Sequence, residues 1–260
     1  MIIIRKSEDR RYVDVGDQKT WMTFDGENQI DPLRNSFGVL KVLNEEILSP
    51  GGGFVFHSVK DMVVVTYVHE GVIVYKAPLE EPAKIEAKEF NKVNVEKDTT
   101  QYAFNTSPTE DAQVFQCGFE EEECDDPPGD ADSKPKGVKK LFTHAERQGV
   151  LKMIASSDGR EASLPIQQDI QLFSTFMHDG NHIAHELKPG RSAWLHVVKG
   201  KVSMGTFKLQ TGDGAGFTDE RSVSFTAKGF VEILLFDLCA SKKTEVDKSK
   251  KGSLQAANAP

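Results

Sequence analysis

Histidine is the residue of this chain best suited to hold a reactive metal ion, and the sequence contains seven. The first, His57, lies in a short apolar run in which side chains two residues apart would share one face of a strand. The next position on that face is Val59, which has no donor atom for a metal. His182 and His185 stand three residues apart, so a strand would point them to opposite faces. Spacing alone therefore provides no complete metal site.

Other residue types that carry chemistry also lack a supporting pattern. Cys117, Cys124 and Cys239 form neither an even disulfide framework nor a CxxC pair, which is typical of a chain kept in a reducing compartment. The glycine-rich run 212–216 is not followed by a helix, so it predicts a turn of a barrel rather than a phosphate-binding loop. No Ser-His-Asp arrangement has a local signature.

The overall composition restricts the partners of the chain. Its 260 residues carry a net charge of -8, which argues against direct nucleic-acid binding because phosphates are repelled by an acidic surface. No apolar run approaches the roughly 18 residues of a membrane helix, so no membrane association is expected. The cytoplasm is the expected location, and nuclear import through the lysine-rich tail 241–260 is the alternative.

The elements that must position these side chains are mainly strands. Two-residue periodicity and β-branched residues mark 63–68 and 231–236, and glycine, proline, asparagine and aspartate mark the turns. The segment 138–155 mixes turn and cap residues, which favours a connecting segment over a core helix. Helices are therefore expected to be few and short.

The two halves of the chain resemble each other. Each has a Pro-Gly pair (Pro50-Gly51 and Pro189-Gly190), a strand pair with a glycine turn, and an apolar closing strand, at 112–117 or 231–238. Such a repeat of about 100 residues indicates a duplicated jelly roll. The sequence therefore predicts an all-β bicupin of two tandem jelly-roll barrels. Its predicted parts are a first barrel (1–119), an acidic linker or loop (120–137), a second barrel (138–240) and a disordered basic tail (241–260).

Several motifs resemble the pirin family of bicupins, which includes quercetinase-like proteins. The matching segments span residues 2 to 239 and include Ile3–Arg10, Asp31-Pro32, Phe37–Glu45, Gly51–Phe54, Lys60–Met62, Thr66–Gly71, Pro189–Gly200, Gly212–Ala215 and Leu234–Leu238. The resemblance implies the bicupin fold along almost the whole chain. It also implies a metal position in the first barrel.

In that family three histidines and one glutamate hold an iron-type metal and leave coordination positions open for oxygen or substrate. The resemblance places the first ligand at His57, the second at Val59, and the third and fourth at Gln101 and Ala103. Only His57 keeps a ligand of the family's kind, so we predict a degenerate site with no cofactor. Iron or another divalent transition metal would be the cofactor if the site were functional. His196 stands where the family often has a histidine or glutamine, and a hydrogen-bonded barrel residue is expected there.

Apolar side chains surround the expected metal position. The predicted pocket residues are Phe54, Phe56, Met62 and Phe115. Such a lining suits a small apolar or aromatic ligand, and it equally suits a barrel that is filled by its own side chains. The sequence leaves these two alternatives open.

Three functions follow from these observations. The leading hypothesis is a non-catalytic or weakly catalytic pirin-like bicupin that acts by binding a small ligand or a protein. The alternative is a metal-dependent oxidoreductase similar to quercetin 2,3-dioxygenase that uses His57. The resemblance to pirin also implies a third function, that of a transcriptional co-regulator with a defined protein partner.

Overall fold

The computed structural model describes residues 1–24, 34–76, 81–120 and 137–239. The predicted acidic linker (apart from its first and last residues), the basic tail, Asp31-Pro32 and Cys124 lie outside these ranges. Within them, the predicted all-β bicupin fold is confirmed. The single α-helix of the described residues, α1 (His144–Arg147), begins after the capping residue Thr143, whose hydroxyl accepts a hydrogen bond from the backbone N–H of Glu146.

Twenty strands make up the described structure. The first eleven are β1 (Ile2–Arg5), β2 (Arg11–Asp14), β3 (Gln18–Met22), β4 (Leu40–Leu48), β5 (Gly53–His57), β6 (Met62–Glu70), β7 (Val72–Lys76), β8 (Ala83–Glu86), β9 (Glu89–Val95), β10 (Thr100–Asn105) and β11 (Ala112–Glu120). The others are β12 (Val138–Leu141), β13 (Lys152–Ser156), β14 (Leu164–Pro165), β15 (Ile170–Met177), β16 (His182–Glu186), β17 (Ser192–Met204), β18 (Phe207–Gln210), β19 (Gly214–Phe217) and β20 (Ser222–Leu238). Short 3₁₀ turns lie at Ser7–Asp9 and Arg160–Ala162.

These strands form three sheets. The first barrel combines a seven-stranded sheet, in the order β12-β9-β6-β11-β4-β3-β2, with a four-stranded sheet, in the order β5-β10-β7-β8. The second barrel is a nine-stranded sheet along the path β1-β19-β17-β20-β15-β13-β14, with β16 paired to β20 and β18 paired to β17. The pairings are antiparallel, as expected of jelly rolls, except for the short parallel pair of β13 and β14.

Two strands pair across the predicted domain boundaries. β1 lies in the predicted first unit, but it pairs with β19 of the second barrel, from Ile2 opposite Phe217 to Arg5 opposite Gly214. β12 lies in the predicted second unit, but it extends the first barrel's sheet by pairing with β9. The region 138–155, predicted as a connecting segment, thus contains β12, α1 and the start of β13. Each barrel contributes one strand to the other.

The hydrophobic core has three parts. One fills the first barrel, one fills the second, and the third lies between the seven-stranded and nine-stranded sheets. The valine run of strand β6 is explained by burial on both faces. Val64 faces the first barrel, whereas Val63 and Val65 face the interface between the barrels. A strand buried on both faces gains from apolar residues at every position.

The interface core requires close approach at Gly216. A Cβ atom at Gly216 would lie 2.5 Å from the ring of Phe37, so only glycine fits beneath that ring. The Phe37 ring packs in turn on Trp194, at a centroid distance of 5.3 Å. No helix of the described residues is long and apolar enough to cross a membrane.

Candidate functional site

The predicted metal position lies on the hairpin of β5 and β10. In this antiparallel pair His57 is directly opposite Thr100, Phe56 is opposite Gln101, and Phe54 is opposite Ala103. Residues directly opposite each other lie on the same face of a sheet, and neighbours along a strand alternate. His57 therefore lies on the outer face with Thr100, and Gln101 lies on the inner face with Phe56.

The exposure of these side chains agrees with that assignment. His57 is exposed, and its Nδ1 atom lies 3.0 Å from the hydroxyl of Thr100. Val59, in the turn after β5, is 67% exposed. Gln101 and Ala103 are buried, at 2% and 0% exposure. The structure thus places the first two ligand positions outside the barrel and the last two inside, and it does not bring the four together.

The interior position is occupied by a hydrogen-bonded pair. The hydroxyl of Tyr75, on β7, donates to Oε1 of Gln101, and both side chains are buried. Around this pair the first barrel is packed with its own side chains: Leu48, Phe54, Met62, Val64, Val68, Ile73, Tyr75, Ile85, Val93, Val95, Ala103, Ala112 and Val114, with Val42 and Phe56 beside them. Of the two alternatives left open by the sequence, the described residues favour the filled barrel.

The donor set does not fit the metal that the resemblance implies. The amide oxygen of Gln101 already accepts a hydrogen bond, Ala103 offers no donor, and His57 points away from both. Nowhere in the described ranges do three or more His, Cys, Asp or Glu side chains form a group that could hold a metal ion. The side chains at this position therefore do not fit a catalytic metal ion.

The predicted pocket residues divide between two cores. Phe54, Phe56 and Met62 belong to the first barrel. Phe115 does not, which corrects the prediction: its neighbour Val114 faces the barrel, so strand alternation turns Phe115 into the interface core. There its ring lies 5.9 Å from the ring of His196.

Comparison with known proteins supports the family resemblance. The model of the quercetinase C-terminal cupin domain matches residues 153–238. A curated relative, the quercetin 2,3-dioxygenase of Escherichia coli K12, is 29% identical over 238 residues, which cover 92% of this chain and 99% of that protein. The crystal structure of YhhW from Escherichia coli superposes with a TM-score of 0.79 at 28% identity, covering 92% of this chain and 98% of that one. A second structure, described as bacterial pirin YhhW in complex with nickel(II), gives the same TM-score over 92% and 100% of the two chains.

The chain has the bicupin fold and is similar to pirin-like proteins, as its sequence predicts. The matched family model covers the second barrel, whereas the YhhW structures span both barrels. The likeness therefore extends over the β5–β10 hairpin, which carries His57, Gln101 and Ala103.

The histidines of strand β16 have separate partners. His182 is exposed, and its Nδ1 atom lies 2.9 Å from the hydroxyl of Thr226. Nε2 of His185 lies 2.9 Å from Oδ2 of Asp237, a carboxylate that also accepts a hydrogen bond from Arg191. The two histidines thus make separate contacts, in agreement with the strand-spacing argument.

His196 lies in the interface between the barrels, beside Phe115. It is 1% exposed, and burial, with a smaller contribution from the charge of Arg10, lowers its pKa to about 3. Its Nδ1 atom has no hydrogen-bond partner among the described residues. The expectation of a hydrogen-bonded histidine is therefore not met at this nitrogen, because apolar groups such as the Phe115 ring surround the imidazole.

The site that sequence reasoning missed is a charged cluster between the two barrels, which we call the interface ion cluster (Tyr67, His69, Lys88, Arg147, Ser174 and Glu232). Arg147 and Glu232 are both fully buried, and Nη1 of Arg147 lies 3.1 Å from Oε1 of Glu232. The same oxygen accepts a hydrogen bond of 2.5 Å from the hydroxyl of Tyr67, and Nη1 donates to Ser174 Oγ at 2.9 Å. Since Tyr67 comes from the first barrel and Glu232 from the second, these bonds join the barrels.

The second oxygen of Glu232 faces the basic side of the interface ion cluster. This Oε2 atom lies 3.7 Å from Nδ1 of His69 and 3.9 Å from Nζ of Lys88, beyond hydrogen-bond distance. Burial, followed by the positive charges of Lys88, Lys199 and Arg147, lowers the pKa of His69 to about 3, so its ring is neutral. A neutral imidazole can accept a hydrogen bond from the Lys88 ammonium, which lies 3.3 Å from His69 Nδ1.

The sequence did contain a signal for this cluster. Glu232 stands inside the apolar strand 231–236, and a buried carboxylate requires a cationic partner. The partner, Arg147, lies 85 residues away in α1, and only the folded chain brings the two together.

Proposed function

We propose that this chain is a pirin-like bicupin that has no metal-dependent reaction in its first barrel and acts by binding a small ligand or a protein. The observation that carries the proposal is the β5–β10 register, which places His57 opposite Thr100 on the outer face and Gln101 on the inner face. A catalytic metal would need these side chains on one face, together with donors at Val59 and Ala103 that the sequence lacks.

A local rearrangement that restores the site would be costly. To bring His57 inward, β5 must slip by one residue, which turns Phe54 and Phe56 out of the barrel. Full burial of a phenylalanine contributes roughly 1.5–3 kcal/mol, of which the inward turn of Val55 would recover only part. The slip would also leave the metal with a single histidine, so binding energy could not offset this cost.

The alternative is a quercetin 2,3-dioxygenase-like oxidoreductase that uses His57. It is favoured by the name of the Escherichia coli K12 relative and by the nickel(II) complex of YhhW. In this chain the reaction would require a different conformation of β5 from the one described.

Metal content and turnover decide between the two functions. The protein would be purified without a metal-binding tag, analysed for transition elements, and assayed for oxygen-dependent loss of quercetin with added Fe²⁺, Ni²⁺, Mn²⁺, Co²⁺ and Cu²⁺. The Escherichia coli relative serves as the positive control. We expect far less than one metal equivalent and no turnover above the metal-only rate.

Two histidine variants make the test specific. His57→Ala and His182→Ala each remove an exposed histidine that lies close to a cross-strand threonine hydroxyl, at 3.0 Å and 2.9 Å. We expect neither variant to change metal content or turnover. One bound equivalent that is lost in His57→Ala and kept in His182→Ala would establish the oxidoreductase and refute the proposal.

A further inference from the structure

A cavity of about 500 Å³ lies on the second barrel, between the N-terminal 3₁₀ turn and the strands β17, β18 and β20. Its lining residues are Lys6, Ser7, Glu8, Lys201, Val202, Ser203, Lys208, Leu209, Gln210, Asp213 and Lys228. Binding pockets for small molecules typically enclose about 300–1,000 Å³, so one such molecule fits. We call this space the lysine cavity.

The strand register gathers the lysines. Lys201 on β17 stands directly opposite Gln210 on β18 and opposite Lys228 on β20, and Ser203 stands opposite Lys208. Opposite residues share a face, so these side chains form two adjacent rows across three strands. Strand alternation turns the intervening residue, Val202, into the core of the barrel.

The charges in the lysine cavity do not balance. Lys6 is neutralised by Asp213, whose Oδ2 atom lies 2.9 Å from Nζ and whose side chain is fully buried. Within the described parts of the chain, Lys201, Lys208 and Lys228 have no ion-pair partner, and the carboxylate of Glu8 has none either. Three free ammonium groups against one free carboxylate leave an excess of two positive charges, although the whole chain carries -8.

This arrangement costs stability in the empty protein. Like charges directly opposite each other on neighbouring strands are destabilising, and Lys201 and Lys228 are such a pair. An anion between them would convert the repulsion into attraction, and lysines bind phosphate or carboxylate as point charges. Destabilising local arrangements of this kind are typical of binding sites.

We propose that the lysine cavity binds a small organic anion, a molecule with a phosphate or carboxylate group on a compact apolar body. The anionic group would lie among Lys201, Lys208 and Lys228, and the apolar body would lie against the aliphatic stems of these lysines. This inference gives a ligand class to the proposed binding role, but it does not depend on the absence of metal from the first barrel.

Calorimetric titration with phenyl phosphate, benzoate and neutral benzyl alcohol tests the proposal at low salt. We expect phenyl phosphate to bind and benzyl alcohol not to bind. The triple variant Lys201→Gln, Lys208→Gln and Lys228→Gln should weaken binding by at least about tenfold, because it removes the charges that contact the anion. Glu8→Gln should tighten binding a few-fold, because it removes a repulsive carboxylate.

A matched control separates the cavity from overall charge. The triple variant Lys76→Gln, Lys97→Gln and Lys188→Gln removes three exposed lysines elsewhere, so both triple variants have the same net charge. We expect it to bind phenyl phosphate like the wild type. Equal weakening in both triple variants, or equal binding of phenyl phosphate and benzyl alcohol, would overturn the proposal.

Two further measurements complete the test. Stronger binding of a twelve-nucleotide single-stranded DNA than of phenyl phosphate, lost in the cavity variant, would replace the small anion by a polyanion.

Elemental analysis of the same preparations reports separately on the first barrel. Bound metal with anion binding would contradict only the proposed lack of a metal reaction, and metal-free protein without anion binding would contradict only the cavity proposal.

Discussion

The stability of this protein should depend on pH through buried groups with opposing effects. The pKa values of His69 and His196 are lowered to about 3, by burial first and then by neighbouring positive charges. The unfolded chain takes up a proton at each imidazole near pH 6.5, and the native chain does not, so acid favours unfolding. Lowering the pH from 7 to 5 should cost about 2 kcal/mol for each histidine.

Glu46 acts in the opposite direction. Burial raises its pKa to about 7, although hydrogen bonds from Thr20 and Gln18 oppose the shift. Its stabilising effect is complete below the unfolded pKa of about 4.5 and is lost as the pH rises through 7. Lowering the pH from 7 to 5 should therefore regain about 2 kcal/mol, which leaves a net loss of about 2 kcal/mol from the three groups.

Urea denaturation at pH 7, 6 and 5 measures the free energy of unfolding of the wild type and of variants in which one of these groups is replaced. Glu46→Gln keeps an oxygen that can accept from Thr20 and should double the loss between pH 7 and 5 to about 4 kcal/mol. His196→Gln should abolish most of the net loss. All other groups titrate alike in each variant, so their contribution cancels when the changes in unfolding free energy are compared. Equal losses of unfolding free energy in Glu46→Gln and the wild type over this range would refute the raised pKa of Glu46.

Three other predictions concern contacts between the barrels, and each can be read by urea or thermal denaturation. Arg147→Met should destabilise by about 3–5 kcal/mol because it leaves Glu232 buried without a countercharge, and adding Glu232→Leu should recover part of this loss; no recovery would contradict the pairing. Gly216→Ala should cost about 1–3 kcal/mol because its methyl group meets the Phe37 ring, and an unchanged Tm would refute that close approach. Deleting residues 1–5 should lower the Tm by several degrees because β19 becomes an edge strand, whereas an unchanged Tm would show that β1 contributes no stability.

The fold could be predicted because its determinants are local and repeated. An apolar closing strand and a Pro-Gly pair recur in both halves, and each predicts a strand or a turn without knowledge of distant residues. The exchanged strands could not be predicted in this way. Nothing in Ile2–Arg5 specifies whether it pairs within its own barrel or with β19, because the choice depends on edges that exist only in the folded protein.

A ligand pattern carried over from a family does not specify which face of a strand each side chain occupies, and the candidate metal site shows this. The pattern assigns His57 and Gln101 to one site, but a shift of one residue in register reverses the face of every side chain on a strand. The alternation of faces along a strand likewise places Phe115 in the interface core, whereas Phe54 lies in the core of the first barrel. The prediction that donors are missing at Val59 and Ala103 rests on residue types alone, whereas the register could be obtained only from the structure.

The N-terminal segment connects the interface between the barrels with the lysine cavity. β1 completes the second barrel's sheet, and the following 3₁₀ turn forms one wall of the cavity through Lys6, Ser7 and Glu8. The backbone N–H of Ser7 and the ammonium of Lys6 both bond to Asp213, so the wall and the strand are held by the same contacts. An anion that binds only when this wall is in place stabilises the pairing of β1 with β19 by the same free energy. Binding of the proposed anion would thus be coupled to the pairing of β1 with β19, since the segment that contains β1 also closes the cavity.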